Sequence, residues 1–146
     1  MKKRSERLSL VADLAERRKK EAEKFLADQI KRVESDATQL LQLEQYLSEY
    51  QSLYQQAMQQ GMLGPQIVNY QAFMTKIADT IEQHKKTMKV NKDQLAQVKR
   101  YWAQMHGRHS ALESLADKAL DAEQQKADKA LQKQLDERSQ QTTSVF

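Results

Sequence analysis

The stretch AMQQGMLGPQIVNYQAF, residues 57–73, decides the fold, because it interrupts a chain that is otherwise suited to long helices. It holds two of the three glycines and the single proline of the 146-residue sequence. Gly61 can take the left-handed conformation that ends a helix, and Pro65 fits the first turn of a following helix, where its missing N–H is not needed. The sequence therefore predicts a helix at about residues 5–60, a turn at 61–65 and a second helix at about residues 65–138.

The composition also favours long helices over a compact core. Hydrophobic residues make up 39% and charged residues 30% of the chain, and the common residue types Ala, Leu, Gln, Glu, Lys, Arg and Met are good helix formers. The sequence has no cysteine, which excludes disulfides. No apolar run follows the basic start MKKRSERL, so neither a signal peptide nor a membrane span is predicted. We expect a cytoplasmic protein.

A seven-residue apolar repeat runs through the second helix. Its spacings alternate between three and four residues for more than seven heptads, which is typical of a helix that packs along one partner helix. The residues of this seam are Ile67, Tyr70, Met74, Ile77, Ile81, His84, Met88, Asn91, Leu95, Val98, Trp102, Met105, His109, Leu112, Ala116 and Ala119.

The first helix carries its own seam, which is clearest at Leu40, Leu43, Leu47, Tyr50, Tyr54 and Ala57. We expect it to continue in a slightly shifted frame through Leu26, Ile30, Val33 and Ala37, and weakly through Leu8, Val11, Leu14 and Ala22. The short turn forces the two helices to run antiparallel. The predicted fold is therefore all-α: residues 1–138 form one long two-helix antiparallel coiled-coil hairpin, with residues 139–146 as a disordered tail. Because the turn satisfies the seam within one chain, we expect a monomer.

The sequence offers no catalytic constellation. It lacks a phosphate-binding G-x-x-x-x-G-K motif, an H-E-x-x-H motif and a nucleophile elbow, and a two-helix rod has no enclosed pocket. His106 and His109 are close enough to share a metal, but no third ligand is placed beside them. We therefore predict a protein that is not an enzyme and that has no cofactor and no metal site.

One flank of the seam is unusual for a coiled coil. The edge positions normally carry Glu or Lys, yet on this side they hold Tyr46, Leu53 and Phe73. The same region, from Val33 to Thr75, contains no Lys or Arg. Two interpretations follow: a widened core that shields neighbouring seam residues, or a docking face for another protein.

At these residues the sequence resembles the FliJ family of flagellar type III export proteins. The resemblance rests on RLSLVADLAE (7–16), QLLQLEQYLSEYQSLY (39–54), NYQAF (69–73), KRYWAQM (99–105) and LQKQLDER (131–138). It implies a small cytoplasmic protein at the flagellar base, folded like the coiled-coil stalk of rotary ATPases.

The resemblance also implies partners. They are the ring of the export ATPase FliI and the membrane export gate protein FlhA, with substrate chaperones as further partners, so that the chain is peripheral to the membrane through its partners and acts as a stalk, an adaptor and a general export chaperone. The gate-docking positions of the family carry over to Gln39, Leu43, Tyr46, Tyr50, Phe73, Ile77, Thr80 and His84. We expect the end with both termini, Arg4–Arg18 with Leu112–Arg138, to engage the ATPase.

Two other functions fit the pattern less well. The chain could be a basic coiled coil that binds nucleic acid through MKKRSERL and RRKK, but its net charge of +4 is unevenly placed, so we expect no nucleic-acid partner. It could also be a generic scaffold that dimerises through its seam.

Overall fold

The structure is a computed structural model, and it describes residues 3–143. Helix α1 spans Arg4–Gln59 and helix α2 spans Gly64–Thr143, with no strand between residues 3 and 143. The chain is an all-α helical hairpin, so the predicted fold class is confirmed.

The turn joins the helices as its sequence predicts. The N–H of Gly61 donates to the carbonyl of Met58 at 3.3 Å, and Gly61 has a φ of 82°, the left-handed conformation that ends α1. The carbonyl of Leu63 accepts from the N–H groups of Gln66 and Ile67 at 3.0 and 3.2 Å. Pro65 therefore lies in the first turn of α2, where its lack of an N–H leaves no bond unmade.

The chain divides into two compact units. The turn unit runs from Glu23 to Arg100 and contains the turn with the adjoining parts of both helices. The end unit combines the N-terminal part of α1, up to Ala22, with the part of α2 from Tyr101 onward.

In the turn unit the two segments run antiparallel, as the ring contact between Tyr54 and Tyr70 and the hydrogen bond between Asp36 and Asn91 show. The seam of α2 is buried or half-buried at every predicted position from Ile67 to Val98. This pattern confirms the sequence-based seam of α2 in this unit.

The seam of α1 differs from the prediction below Leu40. Ile30 and Ala37 are exposed, and the buried positions are Gln29 and Asp36. The buried and half-buried positions of α1 therefore keep their alternating spacing of three and four residues. Gln29 and Asp36 can occupy these positions because both form hydrogen bonds with Asn91 of α2. The apparent frame shift in the sequence was therefore a polar layer in an unbroken frame.

In the end unit, the buried residues of α1 are small. Ala12, Ala15 and Ala22 are buried on α1, whereas Val11 and Leu14, which the sequence placed on the seam, are exposed. α2 contributes larger side chains to the seam of this unit, since Trp102, Met105 and Leu112 are half-buried.

The C-terminal end of α2 also differs from the prediction. Residues 139–143 continue the helix instead of forming a disordered tail, and residues 144–146 lie outside the described part of the chain. Glutamine and arginine are favourable in helices, and the hydroxyl of Thr142 bonds back to the carbonyl of Arg138 at 2.7 Å, so nothing in this sequence ends the helix at 138.

Candidate docking surface

Five aromatic rings form a connected cluster in the turn unit. The ring centroids of Tyr50 and Phe73 lie 4.4 Å apart, and those of Tyr46 lie 5.3 Å from Tyr50 and 6.0 Å from Phe73. Tyr70 links the cluster to Tyr54 at 6.0 Å. Contacts of this kind between aromatic edges and faces are favourable beyond the area that they bury, so the cluster holds its members in a fixed arrangement.

A groove of about 510 Å³ lies beside this cluster. Of the eight sequence-predicted docking residues, five line it together with Gln42: Gln39, Leu43, Tyr46, Thr80 and His84. α1 contributes one wall and α2 the other, so the groove depends on the antiparallel pairing of the two helices. We call this feature the docking groove.

The other three predicted residues lie elsewhere. Tyr50 and Phe73 line a second, smaller groove of about 280 Å³ with Leu53, Asn69 and Tyr70. Ile77 is buried in the seam, with only 6% of its surface exposed. Burial raises the pKa of the Tyr50 hydroxyl above its ordinary value, and the neighbouring Tyr46 acts in the same direction.

The aromatic residues among the predicted docking residues differ in exposure. Tyr46 keeps 44% of its surface exposed, whereas Phe73 is half-buried. The side chain of Tyr46 is thus held by two ring contacts while much of it remains accessible. This combination suits a residue that contacts a partner without first having to be ordered.

A buried polar network lies next to the docking groove. The side-chain amide of Asn91 donates to the carboxylate of Asp36 at 2.6 Å, and the amide of Gln29 donates to the backbone carbonyl of Asn91 at 2.9 Å. His84 Nε2 lies 2.8 Å from the backbone oxygen of Asp36. In the described residues no fully buried side-chain nitrogen or oxygen lacks a partner, so the network satisfies its own polar atoms.

In the end unit, a carboxylate of α2 caps the first turn of α1. The N–H and hydroxyl of Ser5 donate to the two carboxylate oxygens of Glu123 at 3.1 and 2.6 Å. The N–H groups of a first helical turn have no partner within the helix, and a negative charge is favourable there. The hydroxyl bond, the N–H bond and nearby Lys3 together hold the pKa of Glu123 below its usual range.

The two histidines of MHGRH make separate contacts. The ring of His106 stacks on Trp102 with centroids 5.2 Å apart, and His109 Nε2 lies 3.5 Å from the carboxylate of Glu113. Within residues 3–143, no group of three or more potential metal ligands comes together. Along the same residues, neither helix contains a stretch apolar enough to cross a lipid bilayer.

Several residues of these surfaces were missed by sequence reasoning. Gln42, Asn69 and Tyr70 were not singled out, although Tyr70 lies on the predicted seam beside Phe73 and could have been added for that reason. The pairing of Ser5 with Glu123 had a weaker signal, since the seam of α2 turns polar at Glu123 near the predicted start of α1.

The fold and its surfaces define a class of protein. It is a two-helix hairpin with open grooves between its helices, a form suited to binding other proteins. The family model described as the flagellar FliJ protein matches residues 3–145. The chain therefore belongs to the FliJ family, and this membership gives it a role in flagellar export. No curated protein and no solved structure matches it.

Proposed function

We propose that this protein is a non-catalytic stalk and adaptor of the flagellar export apparatus. It would connect the ring of the export ATPase FliI with the export gate protein FlhA, in the cytoplasm at the flagellar base. Family membership supports the export role, and the docking groove with its partly exposed Tyr46 is the observation that carries the adaptor role. The same membership supports a further role as a general export chaperone.

The docking groove and its aromatic neighbours are the proposed gate-binding face. An exposed aromatic side chain that becomes desolvated at the centre of a protein interface contributes about 2 kcal/mol or more to binding. Within the hairpin the same side chains are only partly buried, so each contributes about 1 kcal/mol or less to folding. A docking function thus predicts large losses of affinity and small losses of stability.

The double variant Tyr46→Ala/Phe73→Ala tests this face. We expect its affinity for the gate protein, measured by isothermal titration calorimetry, to fall at least about thirtyfold while helicity is retained. A matched control is Phe25→Ala/Tyr101→Ala, which removes the same two residue types from exposed positions away from the groove, 58% and 42% exposed.

The outcome for the double variant separates docking from core shielding. If Tyr46→Ala/Phe73→Ala melts at a much lower temperature but binds the gate protein normally once it is fully helical, the aromatic residues shield the core and the docking proposal fails.

The end unit is the proposed contact with the ATPase ring. Beyond Glu123, every described side chain of α2 up to Thr142 is exposed, and the apolar residues Leu131 and Leu135 are among them. A helix that buries so little side-chain surface is marginal on its own, and binding of a partner to this stretch would stabilise it.

Truncation after Gln125 tests the ATPase contact and leaves the Glu123 cap in place. We expect the truncated chain to keep the melting temperature of the full chain and to lose stimulation of ATP hydrolysis by the export ATPase. Full stimulation by the truncated chain would place the contact elsewhere.

A further inference from the structure

A groove of about 470 Å³ lies between the two helices of the end unit, and we call it the end groove. Its apolar surface comes from Leu10 of α1 and from Ala116 and Leu120 of α2. Leu10 keeps 53% and Leu120 48% of its surface exposed. Two large apolar side chains therefore remain uncovered at a place where α1 and α2 already pack together.

The charged residues that line the end groove are both acidic. Glu6 of α1 and Asp117 of α2 lie on its walls, with Ser5 and Ser9 as the remaining polar residues. Within residues 3–143 neither of the two carboxylates forms an ion pair or a hydrogen bond, and both residues are exposed. The whole chain carries a net charge of +4, so this concentration of negative charge is local.

The neighbouring basic residues do not line the end groove. Arg4, Arg7 and Lys118 are each next in sequence to a lining residue, but one residue turns an α-helix by about 100°, which places them round the side of their helices. Lys3 lies close to the carboxylate that caps α1, which offsets its charge. The basic run RRKK at residues 17–20 begins two helical turns beyond the groove.

Further carboxylates continue the two walls. Asp13 lies one helical turn beyond Ser9 on α1, and Glu113 lies one turn before Asp117 on α2, so each shares a helix face with a lining residue. Both are exposed, and Glu113 contacts His109 Nε2 at 3.5 Å. The end groove is thus an apolar surface with carboxylates along both of its edges.

We propose that the end groove binds a segment of the export ATPase in which an apolar side chain lies next to an arginine or lysine. The apolar side chain covers Leu10 and Leu120, and the cation lies between the carboxylates of Glu6 and Asp117, where it is the complementary charge. The proposal rests on the contact between the end unit and the ATPase proposed above, and it gives that contact a surface and a chemistry.

The first test removes the two charges. In the full chain, Glu6→Gln/Asp117→Asn keeps the shape of both side chains, and we expect about tenfold weaker binding to the export ATPase by isothermal titration calorimetry at low salt. The affinity of the variant should also depend less on salt than that of the wild type. Because Glu6 lies in the first turn of α1, circular dichroism checks that helicity is retained.

A matched control for the charge test lies in the turn unit. Glu34→Gln/Asp93→Asn removes one glutamate of α1 and one aspartate of α2, both at exposed positions, and changes the net charge by the same amount. This variant should bind the ATPase like the wild type. An equal loss of affinity in both double variants would show that only the net charge matters, and would overturn the proposal.

The second test removes apolar surface from the end groove. Leu10→Gln should weaken binding to the ATPase about tenfold, while glutamine, a good helix former, keeps α1 helical. Leu41→Gln is the control, since Leu41 is another leucine of α1, 61% exposed, in the turn unit. Unchanged binding of Leu10→Gln would mean that the partner does not cover the groove.

The two proposals fail in different ways. If the wild-type chain does not bind the export ATPase, the proposed ATPase contact is wrong. If the wild type binds and Glu6→Gln/Asp117→Asn binds equally well with the same salt dependence, the ATPase contact stands and the end groove is not its site. Tighter binding by this variant would show an acidic partner segment and would also overturn the proposal.

Discussion

The turn unit and the end unit use the same heptad spacing but bury different side chains. In the turn unit the most buried residues are Ile77 and Ile81 together with the polar Gln29, Asp36 and Asn91. In the end unit they are Ser5, Ala12, Ala15 and Ala22, all of them small. The comparison teaches that one sequence repeat can place large apolar and polar side chains in the most buried positions of one unit and small side chains in those of the other. The two units should therefore respond in opposite ways to changes in side-chain size.

The largest expected effect is the loss of a large side chain from the turn unit. Ile81 is only 6% exposed, so Ile81→Ala leaves a cavity and should lower the free energy of unfolding by about 3 kcal/mol. Urea unfolding followed by circular dichroism measures it. Val90→Ala, at an exposed position of the same unit, should change stability by less than about 0.5 kcal/mol. Equal effects of the two variants would show that the stability of the turn unit does not depend on the volume of its buried side chains.

The second largest effect is expected from breaking the polar network of the turn unit. Asn91→Ala leaves the buried carboxylate of Asp36 without its donor, and should cost about 2 kcal/mol. The double variant Asp36→Leu/Asn91→Leu removes both partners and should be neutral or stabilising, because no buried polar atom of the pair is left unsatisfied. Thermal unfolding of both variants checks this order. A double variant less stable than Asn91→Ala would mean that the hydrogen-bonded pair stabilises the fold by more than the cost of burying its polar groups.

The end unit should be sensitive to added volume. Ala22 has no exposed surface, so Ala22→Leu overpacks the helix pair and should cost about 1–2 kcal/mol. Ala27→Leu, at an exposed position five residues further along α1, is the control and should be close to neutral. An unchanged melting temperature for Ala22→Leu would remove the distinction between the two units.

The smallest effect concerns pH. The pKa of Glu123 is lowered in the folded state by the Ser5 hydroxyl and N–H and by Lys3. The stabilisation by the cap is therefore fully present above the ordinary pKa of a glutamate, about 4.3, and is lost as the pH falls through the lower folded pKa. NMR titration should show this lowered pKa in the wild type and its return towards the ordinary value in Ser5→Ala. A pKa that Ser5→Ala does not change would contradict the cap.

Much of this molecule follows from local sequence signals. Gly61 and Pro65 determine the turn through backbone geometry alone, and the seam of α2 through Ile77 and Ile81 follows from apolar periodicity. The lower seam of α1 did not follow, because Gln29 and Asp36 are polar and periodicity counts apolar residues. Their burial depends on donors and acceptors supplied by the other helix, which no single stretch of sequence reveals.

The candidate docking surface also contains some features that the sequence reveals and others that it does not. Tyr46 and Phe73 were found because aromatic residues are unusual at coiled-coil edges. The hydrogen bond between His84 and the backbone oxygen of Asp36 was not predictable, since it depends on how the two helices pair. The helical residues 139–143 were missed because a polar composition alone does not distinguish an exposed helix from a disordered tail.

The unbroken spacing of the turn unit also limits how its length can change in evolution. One inserted residue rotates all that follows in an α-helix by about 100°, which would move every later seam residue away from the facing helix. An insertion or deletion in one arm is therefore tolerated only in steps of seven residues, matched by an equal step in the other arm. Beyond Glu123 the described side chains are exposed, so a change of length there leaves the pairing of the two helices intact. Differences in length between members of the family should accordingly collect at the C-terminal end of α2, and elsewhere should occur as paired heptads.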